Sequence, residues 1–210
     1  MNTGRRLGSW VLGLWVFTAL ALTACLPKGV RVPQDPLLST FARKSGHIVY
    51  LGADGNVYTM DQAGGDEKQI TKDAALSGDG ARRYYDFPAW SPDGKKIAFV
   101  ELKVENGEPS AALYTADRDG KNLVQAFSDP KTVPFYLYWS PDNRNVSFLS
   151  SNTGSSGLKL QLVPAGGGDA KTLDAGQPYY WSWSPNGRQV LVHVGGAAVD
   201  SGAHLSLLGI

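Results

Sequence analysis

A single cysteine among 210 residues rules out an intramolecular disulfide, so the folded chain must be held together by its core. Only three histidines occur, His47, His193 and His204; none shows metal-ligand spacing, and a third ligand for His193 and His204 is not visible. An excess of one charge is also missing. Lys and Arg number 20 against 19 Asp and Glu, which leaves no electrostatic footprint for nucleic acid. Past residue 25 no window approaches the run of about 20 apolar residues that a membrane-spanning helix needs. Long helical segments of any kind are scarce, because 25 Gly and 12 Pro punctuate the chain. In a helix interior these residues cost roughly 1 and 3 kcal/mol each. Nothing in this inventory implies a metal or a cofactor.

Apolar residues concentrate at the N-terminus. Arg5 and Arg6 form a basic start, Trp10 to Leu22 an apolar stretch, and Leu22-Thr-Ala-Cys25 a small-residue close, which is the layout of an export signal over residues 1–24. That closing tetrapeptide resembles the lipobox of bacterial lipoproteins, in which the cysteine is lipidated and becomes the first mature residue. The resemblance implies acylation at Cys25, contact with a membrane through the lipid, and export to the cell membrane or outer membrane. Without the signal the mature chain carries 18 basic and 19 acidic residues. Residues 25–45, with Pro27, Pro33 and Pro36, read as a tether. Leu37, Leu38 and Phe41 offer an edge strand to the first repeat unit, limited by Pro36 and by the charged Arg43-Lys44.

From residue 46 the chain repeats itself. Trp90-Ser-Pro-Asp-Gly-Lys-Lys-Ile-Ala-Phe-Val100 returns as Trp139-Ser-Pro-Asp-Asn-Arg-Asn-Val-Ser-Phe-Leu149 and again as Trp183-Ser-Pro-Asn-Gly-Arg-Gln-Val-Leu-Val-His193. The tryptophans lie 49 and then 44 residues apart, a period at which each unit is one supersecondary piece that must stack on its neighbours to bury its apolar face. Alternation of period two, as in Ile97 and Phe99 or Val190 and Val192, predicts short strands. The repeat divides the chain into four units, at about 46–73, 84–129, 134–175 and 178–210. The first lacks the tryptophan, yet its Val57-Tyr-Thr-Met-Asp61 runs parallel to Leu113-Tyr-Thr-Ala-Asp117 in the second. The second is the most complete, with strands at Tyr84 to Ser91, Lys96 to Lys103, Ala111 to Asp117 and Asn122 to Phe127, and Glu105 to Pro109 as a loop. The fourth stops after three strands.

Pro92, Pro141 and Pro185 suit the second position of a tight turn. Asp93, Asp142 and Asn186 can bond back to the backbone, and Gly94 and Gly187 let the reversal finish. The preceding tryptophan is a wide plate for the space between sheets, where aromatic burial is worth about 3 to 5 kcal/mol against alanine. These repeats resemble those of the TolB-type β-propeller, related in form to WD-repeat blades. The expected fold is therefore all-β: a partial propeller of four-stranded antiparallel blades, about four in number and incomplete. The resemblance implies a binding or scaffold role in the cell envelope, with a protein partner or self-association. The alternative is a fragment or regulatory propeller part of a larger propeller-bearing hydrolase or peptidase whose catalytic domain lies elsewhere.

Few residues remain for chemistry. Asp54, Asp93, Asp117, Asp119 and Asp142 fall in turns, without the spacing or terminal Glu of an EF-hand. Gly166-Gly-Gly168 lacks the Lys-Ser/Thr ending of a phosphate loop. Serines of the Ser-Pro turns recur with the repeat, as structural residues do, so no catalytic group is expected. Aromatics before each tryptophan are the remaining candidates. By alternation Tyr85, Tyr136 and Tyr180 oppose the tryptophan; the aromatics are expected to fill the spaces between blades, the alternative being that these three gather at the channel or top surface and bind a ligand.

Overall fold

The computed structural model describes residues 46–77, 81–152, 157–177, 179–196 and 202–210, all within one compact unit, Lys44–Ile210. Every regular element among them is a strand. Strands β1 (His47–Leu51), β2 (Val57–Asp61) and β3 (Lys68–Gln69) make the first sheet. The second holds β4 (Ala81–Trp90), β5 (Lys96–Glu105), β6 (Glu108–Asp117) and β7 (Val124–Ser128). The third holds β8 (Thr132–Trp139), β9 (Asn145–Asn152), β10 (Leu158–Pro164) and β11 (Lys171–Gly176), and the fourth β12 (Tyr179–Trp183), β13 (Gln189–Val194) and β14 (His204–Gly209). Each sheet is an antiparallel meander in chain order. They stack face to face as successive blades, 1 to 4, of a partial propeller. Across blades 2 and 3 the first strands, β4 and β8, approach each other most closely, which makes them the inner side of the stack.

The repeated motif sets each blade's first hairpin by one hydrogen-bond pattern. Ser91 Oγ accepts from Lys96 N at 2.9 Å and donates to Asp93 Oδ1 at 2.8 Å, while Asp93 Oδ1 accepts from Lys95 N. Ser140, Asp142 and Arg144 repeat this, as do Ser184, Asn186 and Arg188. Ser91 and Ser140 are buried, so hydroxyls that look like chemistry in the sequence satisfy turn amides. The residue closing the turn has positive φ, 67° at Gly94 and 69° at Gly187. Asn143 takes that position at 63°, and its side chain does more, accepting from Asp93 N of the neighbouring turn at 3.0 Å. Glycine would release the conformation but lose the bond between blades.

Three apolar clusters occupy the three spaces between blades. Val57 of blade 1 meets Tyr85, Ile97, Phe99 and Ala116 of blade 2. Ala98, Val100 and Leu113 on the other face of blade 2 meet Leu137, Trp139, Val146 and Phe148 of blade 3. Leu149 and Leu160 of blade 3 meet Tyr179, Val190, Val192 and Val194 of blade 4. Alternation thus sends neighbouring residues of β5, Ile97 and Ala98, into different cores. Burying each large aliphatic or aromatic side chain contributes about 1.5 to 3 kcal/mol.

Two readings of the sequence change. Glu105 to Pro109 is not a loop: Asn106 and Gly107, at φ 54° and 82°, form a two-residue hairpin turn with Glu105 paired to Glu108, so β5 and β6 run longer than expected. His193 and His204 lie on adjacent strands, but the register pairs His193 with Leu205 and His204 with Val194, which puts them on opposite faces. The export signal, Cys25 and the tether lie outside the described residues. No helix among the described residues is long and apolar enough to cross a membrane.

Candidate functional site

The first strands carry most of the exposed aromatic surface, and they carry it through a shared irregularity. In β4, Asp86 pairs with Val100 and Ala89 with Ala98, so the bulged strand has one residue too many. In β8, Phe135 pairs with Leu149 and Leu137 with Phe148, leaving Tyr136 as the extra residue. Phe87 and Tyr136, each three positions before a tryptophan, have φ of 51° and 49°. Bulky side chains rarely adopt that region, and strain of order 1 to 3 kcal/mol is sustained only where the surroundings enforce it. β12 pairs without a shift, so Tyr180 reaches solvent by plain alternation.

The bulge overturns the expectation for Tyr85. The extra residue moves Tyr85 onto the same face as Trp90, opposite Glu101, where it is only 7 % exposed and packs edge-on against Phe99 at 5.5 Å. Only its hydroxyl is placed for polar contact, donating to Asp73 Oδ1 at 2.6 Å. Around it a cleft of about 390 Å³ includes Asp73, Arg83, Glu101 and Tyr114. Arg83 bridges the two carboxylates, pairing with Asp73 and, through Nε, with Glu101 at 3.1 Å. Burial and the Asp73 bond push the Tyr85 phenol well up. Burial also works against the Asp73 carboxylate, but bonds from Tyr85 and Arg83 outweigh it and hold its pKa below the ordinary value. This tyrosine keeps its proton and ties blade 2 to the segment after blade 1.

Tyr136 and Tyr180 are 57 % and 63 % exposed. Tyr136 stands edge-on to Phe87 of blade 2 at 5.4 Å, with Phe135 at 5.4 Å, a three-ring cluster spanning two blades. Tyr180 lies apart on the outer face of blade 4, stacked on His193 at 6.0 Å. Tyr138, another of the candidate aromatics before Trp139, is 56 % exposed and edge-on to Trp181 of blade 4 at 5.0 Å. β8 therefore presents two open phenols, one reaching toward blade 2 and one toward blade 4.

Beneath them a polar centre fixes Trp181 and Trp183. Both indoles donate from Nε1 to the buried Ser147 Oγ at 3.0 Å, and Ser147 Oγ donates to the Tyr138 carbonyl at 2.9 Å. Trp139 Nε1 donates to the Ala89 carbonyl at 3.1 Å. Rigid, edge-on rings with exposed hydroxyls can stack on an apolar or planar ligand surface and hydrogen-bond its rim. Among the described residues no three of His, Cys, Asp and Glu are placed to hold a metal ion.

No family model matches the chain. It is 29 % identical over 116 residues to an uncharacterized peptidase, YuxL, of Bacillus subtilis, covering 51 % of this chain and 17 % of that protein. It is 26 % identical over 119 residues to the Tol-Pal system protein TolB of Alcanivorax borkumensis, covering 54 % of this chain and 24 % of that one. The chain thus spans about a quarter or less of either relative. The crystal structure of TolB from Acinetobacter baumannii superposes with a TM-score of 0.54 at 21 % identity, over 78 % of this chain and 38 % of that one. Four antiparallel sheets stacked in chain order and this superposition together establish a TolB-like propeller fold.

Proposed function

We propose that this chain is an exported, lipid-anchored envelope protein whose blades bind a protein or another surface ligand without turning it over. The carrying observation is the aromatic surface of β8. Tyr136 and Tyr138 are open to solvent, and Tyr136 is held by a bulge that recurs in β4. Hydrogen-bonded indoles behind them make the surface stiff, so little side-chain freedom remains to be lost on binding. Support for the envelope comes from the signal layout, from Cys25, and from likeness to TolB. Near-neutral charge favours a protein or uncharged ligand over nucleic acid.

A second reading is favoured by the relative named as a peptidase, namely that these blades serve as the propeller of a larger hydrolase. The two differ in a measurable way. Cross-linking in envelope preparations is expected to trap one defined partner. The double variant Tyr136→Ser, Tyr138→Ser should lose that adduct at least about tenfold while keeping its unfolding midpoint, as expected for exposed residues. An undiminished adduct removes β8 from the binding surface, and steady release of amine from peptide amides by the purified chain overturns the non-enzymatic reading.

A further inference from the structure

The face that each blade turns toward the next one follows a single register. Val57, Leu113 and Leu160 hold the same place in blades 1, 2 and 3, opposite Leu51, Val100 and Leu149, and all three are fully buried against the following blade. In blade 4 that place belongs to Leu205, opposite His193, and Leu205 is 70 % exposed. The neighbouring positions behave alike. Thr115 and Leu162 are buried while their counterpart Leu207 is 58 % exposed, and Ala98 and Ser147 are buried while Leu191 is 45 % exposed. Blade 4 thus keeps leucine at three positions whose equivalents form the spaces between blades, and leaves them open.

Blade 1 has the matching surplus on its other face. Gln62 N donates to the Gly46 carbonyl as Arg118 N donates to that of Lys95, which aligns Ile48 with Ile97 and Tyr50 with Phe99. Ile97 and Phe99 belong to the face of blade 2 that receives Val57. On blade 1 the equivalent face is open: Ile48 is 40 % exposed, and Tyr50, Tyr58 and Met60 are only partly buried. The ring geometry is repeated as well, with Tyr50 stacked on Tyr58 at 5.6 Å and 24° as Phe99 is on Tyr114 at 6.1 Å and 19°. The Tyr50 and Tyr58 hydroxyls donate to Glu67 and Asp54, so both rings can be covered without stranding a donor.

We propose that the open face of blade 4 packs on the open face of blade 1 in a second copy of this chain, with Leu205 meeting Ile48 as Val57 meets Ile97, and that two copies close head to tail. The occupant is a second copy because one chain carries both halves of the contact. They continue, at the two ends of one stack, the interface that already joins blade 1 to 2, 2 to 3 and 3 to 4. Head-to-tail contacts either close into a ring or grow without end. Two copies of four sheets bring eight, the upper limit of the roughly four to eight blades with which propellers close. The contact uses neither Cys25 nor Tyr136 and Tyr138, so it stands apart from acylation and from ligand binding at β8. Diluted below their dissociation constant, the copies unfold in urea one at a time, and positions on this face then register as ordinary surface positions.

Sedimentation equilibrium of the full chain in detergent tests it. The parent is expected at twice the chain mass. Leu205→Glu and Ile48→Lys, each placing a charge in the apolar contact, should each raise the dissociation constant at least about a hundredfold. Mixed in equal amounts the two variants should pair again, since the mixture restores one unaltered contact and sets Glu against Lys in the other. A parent that sediments as a single chain overturns the proposal, and so does an open-ended series of masses. Association that both variants leave unchanged runs through another surface and overturns it too. Loss in Leu205→Glu alone, with Ile48→Lys unaffected, means that blade 4 pairs with its own copy or with a different partner, and equally removes the head-to-tail contact.

Discussion

Among the described residues blades 1 and 4 each show three strands and each is without a different one, and the consequences differ. Blade 4 keeps its first strand, β12, whose Trp181 and Trp183 find acceptors in blade 3; what its described residues omit is a fourth, outermost strand, next to solvent. Among the described residues blade 1 keeps its outer strand and shows no inner one, and the indole of the next blade has a buried donor without a partner among them. A lost outer strand exposes an edge. A missing inner strand removes an acceptor from inside an interface, where an unmet donor costs about 1 to 3 kcal/mol. The inner strands therefore join the blades to one another.

The largest expected effect removes an acceptor from the intact side of this comparison. Ser147→Ala would orphan two indole donors at once, and urea unfolding should show a loss of about 2 to 4 kcal/mol. A loss below 0.5 kcal/mol, on the order of a surface change, would contradict the shared-hydroxyl account. Next comes the turn between blades 2 and 3. Asn143→Ala combines positive-φ strain with loss of the Asp93 N bond and should cost about 1 to 3 kcal/mol. Asn143→Gly, free of strain, should cost about 0.5 to 1.5 kcal/mol.

A smaller, pH-dependent effect belongs to blades 3 and 4. His204 meets the Gly202 carbonyl through Nδ1 and the Asp174 carboxylate through Nε2 at 2.9 Å, so both ring nitrogens are placed to donate when the ring is protonated. The Asp174 bond, followed by that to Gly202, raises the His204 pKa. Burial opposes ionisation of Asp174, but bonds from His204, Ala175 and Tyr179 outweigh it and lower its pKa. The histidine's contribution is full below its unfolded value of about 6.5 and fades as pH rises through the higher folded value. That of Asp174 is full above about 3.9 and is lost as pH falls through the lower folded value. Unfolding midpoints measured across pH should show the pair working best between these limits, and His204→Gln should flatten the alkaline side and weaken the acid one. An unchanged alkaline limb in that variant would remove the pair from the account. The smallest effect is expected at Leu205, 70 % exposed on the outer face of blade 4, where Leu205→Thr should stay within about 0.5 kcal/mol by urea unfolding.

Trp-Ser-Pro-Asp-Gly made the blades legible because its proline, aspartate and glycine each serve the turn through local bonds. Two things escaped for want of a local signal. Tyr85 was assigned to the wrong face because the bulge at Phe87 breaks alternation, and nothing in Asp86-Phe-Pro-Ala89 announces it. Ser147 serves indoles 34 and 36 positions away, a distance no pattern in the sequence spans. Asn106-Gly107 did carry a signal, as a strong two-residue turn pair, but was absorbed into a longer loop. The aromatic surface was partly legible, since Tyr138 and Tyr180 are exposed by plain alternation, whereas Tyr136 reaches solvent as the extra residue of the β8 bulge, which alternation does not foresee.

The most direct test of the claim that each blade is tied to the inner strand before it is solvent exchange of the indole N–H groups, read by proton–nitrogen NMR on the full chain. The account predicts that the indole N–H groups of Trp139 and Trp183, bonded to the Ala89 carbonyl and the Ser147 hydroxyl, exchange slowly, and that Ser147→Ala speeds exchange at Trp183 at least about tenfold while Trp139 stays protected. Fast exchange at Trp139 and Trp183 in the parent chain, or exchange at Trp183 that Ser147→Ala leaves unchanged, would contradict it.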